Sequence, residues 1–108
     1  MNVIYQVTVD VNPSVETAWF EFSTKVHFPE VLAADPGFLK TTVYRCASNA
    51  SDGRARYVIQ YEIESQQALD RYLHGEGVKR LRADVTKRFG VAVRITRDVL
   101  VPRAVVER

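Results

Sequence analysis

The chain has 108 residues, 46% of them hydrophobic and 26% charged, with a formal net charge of +2. That length fits one domain, which hides roughly two-thirds of its unfolded surface on folding, and leaves no room for a second. No apolar run approaches the ~20 residues of a spanning helix, and the first residues carry neither a basic n-region nor an apolar h-region, so the expected setting is the cytoplasm, away from membranes.

The single cysteine, Cys46, excludes an internal disulfide, and with only His27 and His74 no zinc-type cluster assembles within one chain. No cofactor is called for, and Cys46 reads as strand packing. Charge is uneven: residues 1–78 carry 6 basic and 10 acidic side chains, residues 79–108 carry 9 and 3. Such asymmetry marks either an anionic partner or a solvated face.

In chain order, Val3 to Val11 alternate, with Val3, Tyr5, Val7, Val9 and Val11 on one side and Ile4, Gln6, Thr8 and Asp10 on the other, which predicts a half-buried strand. Asn12-Pro13-Ser14 stops it, with Ser14 as N-cap of a helix whose stripe is Val15, Trp19, Phe22 and Val26. Pro29 removes an amide donor and disfavours helical angles at Phe28, so a kink or a restart is expected there. Asp35-Pro36-Gly37 predicts a tight turn in which glycine supplies a positive φ.

Two strands follow, Phe38 to Ala47 and Arg54 to Ile63, joined by a Ser48–Gly53 hairpin loop. Ser65 caps the next helix. Its apolar residues fall in two groups, Leu69, Tyr72 and Leu73 against Leu81, Val85 and Phe89, roughly 150° apart at 100° per residue. A straight helix cannot bury both, so Gly75-Glu76-Gly77 is read as a break between helices near 66–74 and 78–89, with Gly90 ending the second. The last strand, Val91 to Val101, is closed by Pro102; residues 1–102 form the domain and 103–108 a short tail.

Strand, helix, strand, strand, helix, strand is the ferredoxin-like split βαβ order: an α+β fold with one four-stranded antiparallel sheet and its helices on one face. The aliphatic and tyrosine side must meet the helices. The reverse side would carry Gln6, Asp10, Gln60, Glu62 and Arg94, with Arg45 as an addition. Two such faces could close about a two-fold axis into a dimeric α/β barrel, pairing Arg45 or Arg94 with Asp10 or Glu62, and closure removes exposed sheet edges. A homodimer is therefore preferred to a monomer.

Among residues able to carry chemistry, His27 is the first candidate. It sits beside the Pro29 discontinuity with Glu30 three positions on, and reads either as a general acid or base or as a histidine that holds the loose backbone of the kink. Trp19, Tyr5, Tyr57, Tyr61 and Tyr72 either fill the core or line a ligand pocket between the first helix and the sheet. The His74–Gly77 run lacks the strand and the further glycine of a nucleotide loop. Nucleic acid is not favoured, because the third strand does not fit the RNA-binding consensus and the polar sheet face holds acids.

The runs Tyr5-Gln6-Val7-Thr8-Val9, Val26-His27-Phe28-Pro29-Glu30-Val31-Leu32-Ala33 and Tyr57-Val58-Ile59-Gln60-Tyr61, together with Trp19 and Tyr72-Leu73, resemble a small bacterial family of unknown function, domain of unknown function 4286. That family is similar to the dimeric α/β-barrel superfamily, which includes cofactor-free antibiotic-biosynthesis monooxygenases, haem-degrading enzymes and small isomerases. The resemblance implies the fold, a dimer, and a ligand lying between helices and sheet where His27, Trp19 and Tyr61 would converge. No complete catalytic set carries over. Two functions are expected to compete: a small-ligand protein with monooxygenase-like or isomerase-like chemistry at His27, and a non-catalytic structural or interaction module.

Overall fold

The computed structural model describes residues 2–108. Strand β1 (Val3–Val11) leads through a 3-10 turn (Pro13–Val15) into α1 (Glu16–Phe22), a π turn (Ser23–His27) and α2 (Phe28–Ala34). Then come β2 (Phe38–Arg45), β3 (Ala55–Ile63), α3 (Gln66–Leu73), α4 (Glu76–Phe89), a 3-10 turn (Gly90–Ala92) and β4 (Val93–Leu100). The strands form one sheet in the order β2-β3-β1-β4, every neighbouring pair antiparallel. This is the ferredoxin-like α+β arrangement that the element order predicted. Among the described residues no helix is long and apolar enough to cross a membrane.

The inward side of the sheet is the one the alternation foresaw. Val3, Tyr5, Val9 and Val11 on β1 and Tyr57, Ile59, Tyr61 and Ile63 on β3 are buried against Trp19, Phe28, Val31, Leu69, Tyr72 and Leu81. Burying each large apolar side chain contributes about 1.5–3 kcal/mol. Both helical groups reach this core because the chain breaks where expected. Ser65 caps α3 by accepting the Ala68 amide, and Gly75 is extended at φ −86°, ψ 162° ahead of α4. Gly90, at φ 52°, turns the chain out of α4.

Several local expectations are corrected. The restart expected at Pro29 is present, α2 beginning at Phe28 with the proline and Glu30 in its first turn, but no loss of helical angles marks it. Phe28 keeps helical angles (φ −62°, ψ −44°), and its amide donates to the Ser23 carbonyl in the wider turn. A π turn inserts one residue, and this rotates everything beyond it by about one residue's step around the axis. The buried stripe therefore runs Trp19, Ser23, Phe28, Val31, and Val26 turns outward to 38% exposure. Asn12, not Ser14, organises the helix entry, its Oδ1 accepting from both the amide and the hydroxyl of Ser14.

Gly37 is not at positive φ. It is glycine because a Cβ there would collide with the Ala68 side chain. In the same turn Asp35 accepts the Gly37 amide and two hydrogen bonds from Arg71. The last strand begins at Val93, since Gly90–Ala92 form a turn whose Ala92 carbonyl accepts the Asn12 amide at 2.8 Å. Val91, expected inside, is 91% exposed.

Candidate functional site

The outer sheet face is largely satisfied within the chain. Asp10, 4% exposed, accepts two hydrogen bonds from Arg56 and two from Arg94, and Arg94 also reaches Asp52 at 2.9 Å. The two guanidiniums hold the Asp10 carboxyl down at about 2, with Arg56 the larger influence. Gln60 donates to Gln6 at 2.9 Å across β1 and β3, and Glu62 meets Asn2 and Lys40. The Arg94–Asp10 pairing expected between subunits is thus made inside one chain.

Arg45 is not on this face. A bulge at Leu39 shifts the register of β2 between Phe38 and Lys40, which exchanges the two faces of everything after it. Arg45 lies opposite Tyr57 on the helical side, 5.8 Å above its ring, with Nε 3.6 Å from Glu16 Oε2. Tyr44 takes the outward position and is 52% exposed.

The inward aromatics divide into two groups. Trp19 contacts Tyr57 at 4.8 Å between centroids, and the Tyr57 hydroxyl donates to Glu16 at 2.6 Å. Both rings are buried at this end, and neither lines the two voids found at the other. At the other end Tyr5 and Tyr61 are directly opposed on β1 and β3, with ring centroids 5.9 Å apart and Tyr72 edge-on to Tyr5 at 6.4 Å. Here the core is incomplete. Tyr5, Val7, Val31, Tyr61 and Tyr72 surround a cavity of about 40 Å³ together with His27, Arg82 and Arg97. It adjoins a shallow groove of about 320 Å³ that shares Tyr5, Arg82 and Arg97 and adds Leu73, Asp98 and Val99.

The π turn delivers His27 to this cavity. Its ring lies 6.1 Å from Phe22 and 6.0 Å from Phe28, and its buried Nδ1 has no hydrogen-bond partner among the described residues. It does not tether the backbone loosened by Pro29, the structural role the sequence allowed. Burial pushes the imidazole below its usual value and Arg97 adds to this, while Glu30 and Asp84 pull the other way. The ring is held neutral near pH 7, able to accept or to donate one proton. Burial also raises Tyr61 far above the usual phenol range, and Tyr72 up to about 12, so both hydroxyls keep their protons and serve as donors.

Two residues of the site were missed from the sequence. Arg97 lies opposite Val7 on β1, hence on the inward face between Ile95 and Val99. Its parity among valines and isoleucine was the available signal. Arg82 projects from α4 and donates to the Tyr5 hydroxyl at 3.0 Å; the basic excess of residues 79–108 was the only signal, and it did not single out this arginine.

The fold matches that of antibiotic-biosynthesis-monooxygenase-like proteins. SnoaB from Streptomyces nogalater, a cofactor-independent oxygenase seen as a mutant, superposes with a TM-score of 0.71 at 18% identity over 99% of this chain and 98% of its own. The ActVA-Orf6 monooxygenase of Streptomyces coelicolor, in complex with nanaomycin D, gives 0.62 at 19% identity over 99% and 92%. At3g17210 from Arabidopsis thaliana gives 0.72 at 11% identity over 97% and 99%. At such identities the likeness establishes the fold alone. A comparison with curated proteins gave no match. Residues 2–102 match the model of the domain of unknown function DUF4286, and the chain belongs to that family.

Proposed function

We propose that this protein is a homodimeric α/β barrel that binds a small organic ligand beside His27 and moves a proton on it. One observation carries the reading: a neutral imidazole with a buried, unpartnered nitrogen forms the wall of a cavity that two protonated tyrosines also face. A buried polar atom without a partner costs about 1–3 kcal/mol, which a ligand completing the hydrogen bond would recover. His27 takes a proton from an acidic C–H or O–H, and the Tyr61 or Tyr72 hydroxyl donates a hydrogen bond to the oxygen that gains charge.

Return of that proton to another atom of the ligand is isomerase-like chemistry. Reaction of the electron-rich anion with dioxygen is the cofactor-free monooxygenase-like alternative, and the description of SnoaB as a cofactor-independent oxygenase favours it. The dimer is supported by the half-buried, internally hydrogen-bonded outer sheet face, where Gln6, Gln60 and Glu62 would meet their counterparts about a two-fold axis. The lone thiol of Cys46 suits a reducing compartment, the cytoplasm.

The test uses phenol as a probe and the imidazole NMR signals of His27 as the readout. Exposed His74, whose Nδ1 lies 2.8 Å from the Asp70 carbonyl, is the internal control. Binding should move the His27 signals alone, and His27→Gln should abolish binding while leaving the melting temperature within a few degrees. A variant that melts early yet binds the probe as before makes His27 structural and the module reading correct. Sedimentation of a monomer at micromolar concentration would remove the dimer.

A further inference from the structure

Every arginine between Arg45 and Arg97 except those two at the cavity mouth, Arg82 and Arg97, has a carboxylate oxygen within 3.6 Å or less, and Arg45 itself is among the paired ones. The Arg82 guanidinium donates only to the neutral Tyr5 hydroxyl, and the Arg97 guanidinium makes no hydrogen bond to the described residues. The two come from different elements, α4 and the inward face of β4, and converge on the same two voids. Asp98 borders the groove but belongs to the other sheet face, opposite Gln6, and its Oδ1 accepts the Val99 amide. The mouth therefore carries two positive charges with no carboxylate paired to either among the described residues.

We infer that the ligand of this site is a small organic acid, its carboxylate held between Arg82 and Arg97 and its apolar body directed along Tyr5 toward His27. The inference rests on the proposed binding site and names its ligand class. Guanidinium is the side chain suited to planar, bidentate carboxylate recognition, and two of them at one opening fix orientation as well as charge. The voids set the size. The inner cavity of about 40 Å³ admits only a small group beside His27, and the groove of about 320 Å³ is at the lower end of small-molecule sites. A single-ring acid fits those limits, with its anion outside and its reacting carbon inside.

Isothermal titration of the full chain with benzoate, benzamide and inorganic phosphate tests this, with His27 NMR signals followed in parallel. Benzoate should bind at least about tenfold more tightly than benzamide, the scale of a hydrogen bond to a charged group. Arg97→Gln should abolish that preference, and Arg97→Lys should restore part of it. Arg97 is exposed and unpaired, so the melting temperature should stay within about 3 °C in both variants. Equal affinity for benzoate and benzamide, with His27 signals moving in both, overturns the acid assignment and leaves the pocket standing. Phosphate binding as tightly as benzoate makes the arginines a simple anion site and also overturns it. If no aromatic probe moves the His27 signals, the pocket reading fails and this inference with it.

Discussion

Tyr57 and Tyr61 lie on the same strand and the same face, four residues apart, and both are buried. Their surroundings differ. Tyr57 is packed against a tilted Trp19, covered by Arg45 and hydrogen-bonded to Glu16, and on the outer face of the same end Asp10 ties β1, β3 and β4 together through Arg56 and Arg94. Tyr61 faces a void shared with an unpartnered histidine and two arginines that have no carboxylate. One end of the sheet meets its polar requirements from within; the other leaves them open to something brought from outside. In a domain of net stability of about 5–15 kcal/mol, unspent polar capacity concentrated at one place is the feature on which the proposed binding role rests.

The contrast can be broken or sharpened by substitution. The largest effect is expected at the closed end: Trp19→Ala should destabilise by about 3–5 kcal/mol in urea unfolding, since the filled core there cannot collapse onto the gap. Asp10→Asn should cost about 2 kcal/mol at neutral pH, because it leaves two guanidiniums without their anion.

The same carboxyl sets an acid limb. Its folded value of about 2 lies below the ordinary 3.8, so its contribution is complete above that ordinary value and is lost as pH falls through about 2. Asp10→Asn should flatten that limb.

A smaller and more discriminating pair follows. Tyr57→Phe should cost about 1 kcal/mol by removing its hydrogen bond to Glu16, whereas Tyr61→Phe should be neutral within about 0.5 kcal/mol because its hydroxyl serves a void. Equal costs would erase the distinction between the two ends.

The smallest signature belongs to His27. Its folded pKa is depressed, so below about pH 6.5 the unfolded chain takes up a proton that the folded one refuses, and stability declines as pH drops until the folded imidazole also protonates. Glu30, Asp84 and Arg97 face this ring and remain in the variant, so His27→Gln should remove only this slope. An unchanged slope would place the titration elsewhere.

The sequence by itself determined the element order, the antiparallel sheet and its greasy side, because period-2 alternation in β1 and β3 and the cap at Ser65 are local signals with one physical meaning each. It also singled out His27 and the tyrosines by residue type. Tertiary structure alone decided how those residues are grouped. The π turn at Ser23–His27 and the bulge at Leu39 each add one residue to a regular element, and one residue is enough to send Val26 out, Phe28 in and Arg45 to the opposite face. Pro29 flagged a discontinuity beside the first without showing the residue it adds, and the expected run of β2 gave no notice of the second. Arg97 shows the same limit from the other direction: its inward parity was written in β4, but that it meets Arg82 beside a cavity is a fact of distant segments brought together, which no stretch of chain contains.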